Sequence, residues 1–70
     1  MTIDYENPQT LNIHKEWYGK TDDGVIFVID GGWNHFDGYY VESVSFEGDV
    51  ENEEELSEEI TTQFLNEMNG

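Results

Sequence analysis

Five consecutive apolar residues, Val25-Ile26-Phe27-Val28-Ile29, form the longest apolar run in the chain. Rich in β-branched side chains, the run suits a central strand, covered on both faces or covered on one and sealed by aromatics on the other. The rest of the chain must supply that cover. The 70 residues carry 17 Asp+Glu against 2 Lys+Arg, a formal net charge of -15. Self-repulsion at such a charge opposes compaction and is the mark of disorder when hydrophobicity is low. Here 36% hydrophobic and 14% aromatic residues oppose it, so a fold is expected. The length fits one small acidic domain over 1–70, and a domain of this size buries only about 60% of its unfolded surface. With no cysteine there is neither a disulfide nor a thiolate zinc site to staple it, so stability is expected to be marginal and salt-dependent.

Residues 1–9 hold the only proline, Pro8, behind Asn7. Asn-Pro initiates turns, so this segment reads as a lead-in or a short edge strand. From Thr10 to Tyr18 the pattern alternates, with Leu11, Ile13 and Trp17 on one face and Thr10, Asn12, His14 and Glu16 on the other, as in a half-buried strand. Gly19-Lys20-Thr21-Asp22-Asp23-Gly24 supplies turn residues for a hairpin into the apolar run. Residues 31–38 read as a glycine-bounded loop, or as strand extensions through Trp33 and Phe36 around a shorter turn at Asp37-Gly38. Tyr39 to Phe46 forms a third strand. Its apolar residues change parity, with Tyr40, Val44 and Phe46 on one side and Tyr39 and Val41 on the other, which suits a bulge.

After Glu51 the period changes from two to about four. Leu56, Ile60, Phe64 and Met68 recur at four-residue steps with Leu65 beside them, predicting an amphipathic helix over 52–68. Asn52 followed by Glu55 is a capping-box variant, and Asn69-Gly70 a natural stop. The fold class is therefore α+β: a three- or four-stranded antiparallel meander over 10–47, with one C-terminal helix packed on one face.

Charge excludes several functions. Both positive side chains are lysines, Lys15 and Lys20, and affinity for DNA, RNA or an anionic membrane comes from cations displacing counterions. No direct nucleic-acid or membrane binding is expected; basic partners are favoured. Between Asp49 and Glu59 seven carboxylates fall in eleven residues. Acids in a first helical turn complement the macrodipole at about 0.3–1 kcal/mol each. Glu58 and Glu59 lie beyond that turn, with no Lys or Arg at i+4 to relieve them. Glu51, Glu54, Glu55 and Glu58 place carboxylates roughly 5–6 Å apart along a helix face, and phosphates on a nucleic-acid strand rise about 3.4 Å each along the axis. That geometry permits phosphate mimicry. Asp22, Asp23, Asp37 and Asp49, with Asp30, Glu42 and Glu47 on the sheet, extend the negative track. The alternative is a surface acidic for solubility or salt adaptation, on a structural or assembly protein that is a monomer or homodimer.

The aromatics have two readings. Trp17, Tyr18, Trp33, Phe36, Tyr39 and Tyr40 fill the core and cover the sheet, or those around the glycine loop, Trp33 and Tyr39 foremost, anchor a protein partner. His14 and His35, with Asp30 or Asp37, lack the spacing of a zinc or calcium site, so no metal or other cofactor is expected. No nucleophile motif or phosphate-binding glycine loop occurs, and so small a domain offers little volume for a catalytic pocket. No enzymatic activity is expected.

The segment Gly32-Trp33-Asn34, the acidic helix start from Asp49 to Glu59, and an α+β chain almost without basic residues resemble the small acidic proteins that bacteriophages use against host defence, the anti-CRISPR and anti-restriction DNA mimics. Members of that class share no common fold, so no site residue is carried over from it. The resemblance implies a stoichiometric inhibitor seated in the positively charged nucleic-acid groove of a nuclease, CRISPR effector, polymerase, glycosylase or nucleoid protein. The N-terminus lacks the basic and apolar segments of a signal peptide, so a cytoplasmic location is expected, that of the host cell if a phage encodes the chain.

Overall fold

In the computed structural model, residues 1–5, 9–11 and 14–70 are described, with side chains for 1–5 and 15–70. The elements in chain order are β1 (Thr2–Ile3), β2 (Gln9–Leu11), β3 (His14–Lys20), β4 (Ile26–Asn34), β5 (Gly38–Phe46) and α1 (Glu53–Asn69). All described pairings are antiparallel. β1 and β2 both lie on the side of β3 away from β4, β1 opposite Gly19 and Lys20, β2 opposite His14 to Glu16. Five strands thus occupy four positions, and the N-terminal segment forms the edge in two pieces.

The expected single strand from Thr10 to Tyr18 is corrected. β2 and β3 pair antiparallel with Leu11 opposite His14, so this stretch contributes to two neighbouring strands rather than one. Ile13 and the Asn7-Pro8 turn lie outside the described residues. Gly19 and Lys20, expected in the turn, end β3, and the reversal is confined to Thr21–Val25. There Thr21 N–H donates to Val25 C=O at 2.9 Å, Gly24 N–H to Thr21 C=O at 3.0 Å, and Val25 N–H to Thr21 Oγ1 at 3.0 Å. Gly24 takes φ +90, which few side chains tolerate.

Of the two readings of residues 31–38, strand extension holds through Trp33 but not Phe36: β4 runs on through Asn34, His35 to Asp37 make the turn with Phe36 inside it, and Gly38 opens β5 instead of completing a turn with Asp37. Asn34 Oδ1 organises it by accepting from Phe36 N–H at 3.0 Å and Asp37 N–H at 2.7 Å. Gly31 and Gly32 tolerate mid-strand placement because a Cβ at either would run into Tyr40, its carbonyl at Gly31 and its ring at Gly32. The bulge expected from parity is present. Asp30 faces Ser43 while Gly31 faces Val41, so Glu42 is the extra residue. It turns Tyr39 and Val41 onto the same face as Val44 and Phe46, and all four pack against the core.

The core lies between the sheet and α1. Ile3, Trp17, Phe27, Ile29, Ile60 and Phe64 are buried, with Leu56, Leu65 and Met68 partly buried around them. Phe64 is the hub: its ring centroid is 4.7 Å from Trp17, 6.2 Å from Tyr5 and 6.4 Å edge-on from Tyr39. Among the described residues no helix covers the far face of the sheet. Ile26 is 43% and Tyr18 44% exposed there, so the apolar run is covered on one side and half open beside Tyr18 on the other. Asn52 is the N-cap residue, as expected, but its side chain makes no capping bond; its carbonyl accepts from Leu56 N–H at 2.9 Å. Gly70 is the C-cap.

Candidate functional site

The register places the two sheet ends far apart. The turn 21–25 and the exit from β5 share one end, because Glu47 N–H donates to Ile26 C=O. The turn 35–37 lies beyond the other end of β4, about 26 Å away at roughly 3.3 Å for each step between its nine residues. α1 starts at the first end and finishes at the second, where Asn69 meets Tyr39.

The predicted site residues divide between these ends. Asp22 and Asp23 from the turn, Asp49 from the exit of β5, and Glu51, Glu54, Glu55 and Glu58 from the helix start gather at the first end, all exposed. Asp23, Asp49, Glu51 and Glu55 line an open groove of about 510 Å³ floored by Val25, Val50 and Leu56. Glu59, in the acidic run but not among the expected contacts, lines it too; its four-residue step from Glu55 was the available signal. A second hollow of about 370 Å³ is lined by Glu51, Asn52, Glu53, Glu54, Glu55 and Glu58.

Countercharge is sparse there. The N-terminal ammonium reaches Asp22 at 3.3 Å, and the Lys20 stem passes Gly24. Among the described residues, Asp23, Asp49, Glu51, Glu54, Glu55, Glu58 and Glu59 make no ion pair. The groups lie in water, where each pairwise repulsion is about 1 kcal/mol or less, so the fold tolerates them. Among the described residues no group of three or more His, Cys, Asp or Glu is arranged to hold a metal ion. The groove's carboxylate lining suits the attraction of cations or basic side chains.

Asp37, Trp33 and Tyr39 belong to the opposite end. Trp33 is 55% exposed and Phe36 86%, with Phe36 tilted on His35 at 4.3 Å. Tyr39 is half-buried and packs edge-on against Trp17 at 6.2 Å, so most of its ring serves the core. Asp37 sits in the turn, with its N–H held by Asn34. The acidic track is therefore concentrated at one end, and Asp37 does not join it.

Two tyrosines have perturbed hydroxyls. Burial pushes the Tyr5 pKa up from its ordinary 10.0, with Gln63 opposing and Glu67 adding. Tyr18 is raised because its hydroxyl donates to Glu16 at 3.2 Å, a bond the phenolate cannot make. No protein-family model, no curated protein and no solved structure matches this chain. Among the described residues no helix is long and apolar enough to cross a membrane.

Proposed function

We propose that this protein is a non-enzymatic inhibitor that binds a basic, nucleic-acid-handling protein by presenting carboxylates where phosphates would lie. One observation carries the reading: the turn 21–25, the exit of β5 and the helix start converge exposed carboxylates on one end, and there only Asp22 has an ion-pair partner among the described residues. A surface tuned only for solubility gains nothing from this concentration, whereas a phosphate-binding groove is matched by it. Association is fast and salt-sensitive, as long-range attraction dictates. The exposed Trp33 and Phe36, at the other end, supply an apolar contact that fixes orientation. The partner's class fits a nuclease or CRISPR effector, and the site of action is the cytoplasm where such proteins work.

The test is capture from bacterial lysate on the tagged protein at low salt, eluted separately with duplex DNA, RNA and raised salt. Release of a nucleic-acid-binding protein by DNA or RNA supports a shared site. A retained partner indifferent to both nucleic acids, or no retained partner, overturns mimicry.

A further inference from the structure

The outward-facing backbone of β5 can be assigned from the register. Glu47 N–H donates to Ile26 C=O, so Ile26 and Glu47 are a hydrogen-bonded pair, and alternation then turns Ser45 and Ser43 toward β4 and Phe46 and Val44 away from it. Beyond the bulge at Glu42, Val41 and Tyr39 face away as well. A separate contact fixes the phase on that side of the bulge. Tyr39 N–H donates to Asn69 Oδ1 at 3.0 Å, and Asn69 Nδ2 donates to Tyr39 C=O at 3.0 Å. The Asn69 carboxamide thus makes the two bonds that a neighbouring strand's backbone would make, and it stops at Tyr39. Among the described residues no strand lies outside β5.

Edges of this kind are normally guarded by lysine or other charges, proline, a bulge or a covering loop. The nine residues of β5 contain neither proline nor lysine; the bulge with its Glu42 guards the middle of the strand, and the register is regular from Ser43 to Phe46. Charge selects what can pair there. Glu54, Glu58, Leu65 and Asn69 fall within about a sixth of a turn of one another at roughly 100° per residue, so the side of the helix that reaches the β5 edge also carries Glu54 and Glu58. Glu42 and Glu47 lie on or beside the strand itself. A second copy brings the same carboxylates against these and is repelled; an extended segment bearing Lys or Arg is attracted.

We propose that the β5 edge from Ser43 to Phe46 accepts an extended basic segment of the partner as an added strand. Backbone bonds at Val44 and Phe46 would fix its register, and Glu54 and Glu58 would attract its cations. This rests on the basic-partner reading above and gives it a second, directional contact. β-augmentation of this kind draws affinity from main-chain bonds and selectivity from the flanking side chains.

The experiment uses the full chain, isotopically labelled, and a synthetic peptide of roughly six residues alternating lysine and valine, beside a peptide of equal charge interrupted by proline. Hydrogen exchange is followed by NMR at low salt. The expected result is that Val44 and Phe46 amides exchange freely alone, become protected with the alternating peptide, and that the proline peptide binds about tenfold more weakly. Equal binding of both peptides with changes confined to residues 49–59 overturns the edge contact and leaves the acidic end as the binding site. Slow exchange of Val44 and Phe46 in the free protein, or failure of both peptides to bind, also overturns it; the lysate capture judges the acidic end separately.

Discussion

The two halves of α1 do different work. Residues 53–59 carry Glu53, Glu54, Glu55, Glu58 and Glu59, and only Leu56 among them packs on the core. Residues 60–69 bury Ile60 and Phe64, add Leu65 and Met68, and bind β5 through Asn69. One half holds the sheet, and the other is held out from it. The second half therefore makes the fold stable enough to carry the repulsion of the first, and changes in charge and changes in packing should have separable effects.

The largest effect is expected in the packing half. Phe64→Ala removes the ring that touches Tyr5, Trp17 and Tyr39, at a cost of about 3–5 kcal/mol. At roughly 0.05–0.15 kcal/mol per residue, a chain of this length holds about 4–10 kcal/mol, so this one change removes a large part of it. Urea melts followed by circular dichroism should find the variant's midpoint far below the parent's; an unshifted, cooperative variant would mean the helix is held by something other than this hub. Asn69→Asp comes next, at roughly 1–2 kcal/mol. It loses the bond to Tyr39 C=O and sets a carboxylate against that carbonyl and the negative end of the helix. Thermal melts of Asn69→Asp at low and at high salt separate the two causes, since only the charge is screened, and equal losses in both would rule out the charge contribution.

The acidic half responds with the opposite sign. Glu58→Gln lies beyond the first turn, where the macrodipole gives nothing back, so removing its repulsion from Glu54 should stabilise by about 0.2–0.5 kcal/mol at low salt. The gain should vanish in high salt, and its persistence there would point to a cause other than charge. The smallest contrast concerns pH. Because burial raises the Tyr5 pKa, the neutral phenol is the form the fold favours. Its contribution is intact below the unfolded value of 10.0 and is lost as pH rises through the higher folded value. Alkaline melts of Tyr5→Phe should therefore fall less steeply above that pH than those of the parent; parallel curves would place the loss elsewhere.

Much of this division was legible in the residues. The four-residue period from Leu56 to Met68 located the helix and its buried stripe, and the apolar run at Val25 located the central strand. The parity change in Tyr39 to Phe46 announced the bulge, because a two-residue period cannot be broken without an extra residue. The split of 10–18 between two strands was not legible, since alternation looks the same whether or not the chain reverses. Gly31-Gly32 looked like a turn because their lack of side chains, which marks turns, here makes room for Tyr40 across the strands. The acidic run was plain from composition, but only the register brought Asp22 and Asp23 to it and carried Asp37 to the other end. Asn69 was read as a stop, and no sequence signal tied it to Tyr39, thirty residues away.

The most direct measurement combines Glu54→Gln, Glu55→Gln and Glu58→Gln in one variant and determines its melting curve and its DNA-displaceable capture of a basic partner on the same preparation. The account predicts a melting midpoint equal to or above the parent's, with capture lost. Unchanged capture, or collapse of the fold together with capture, would contradict the separation of a binding half from a folding half.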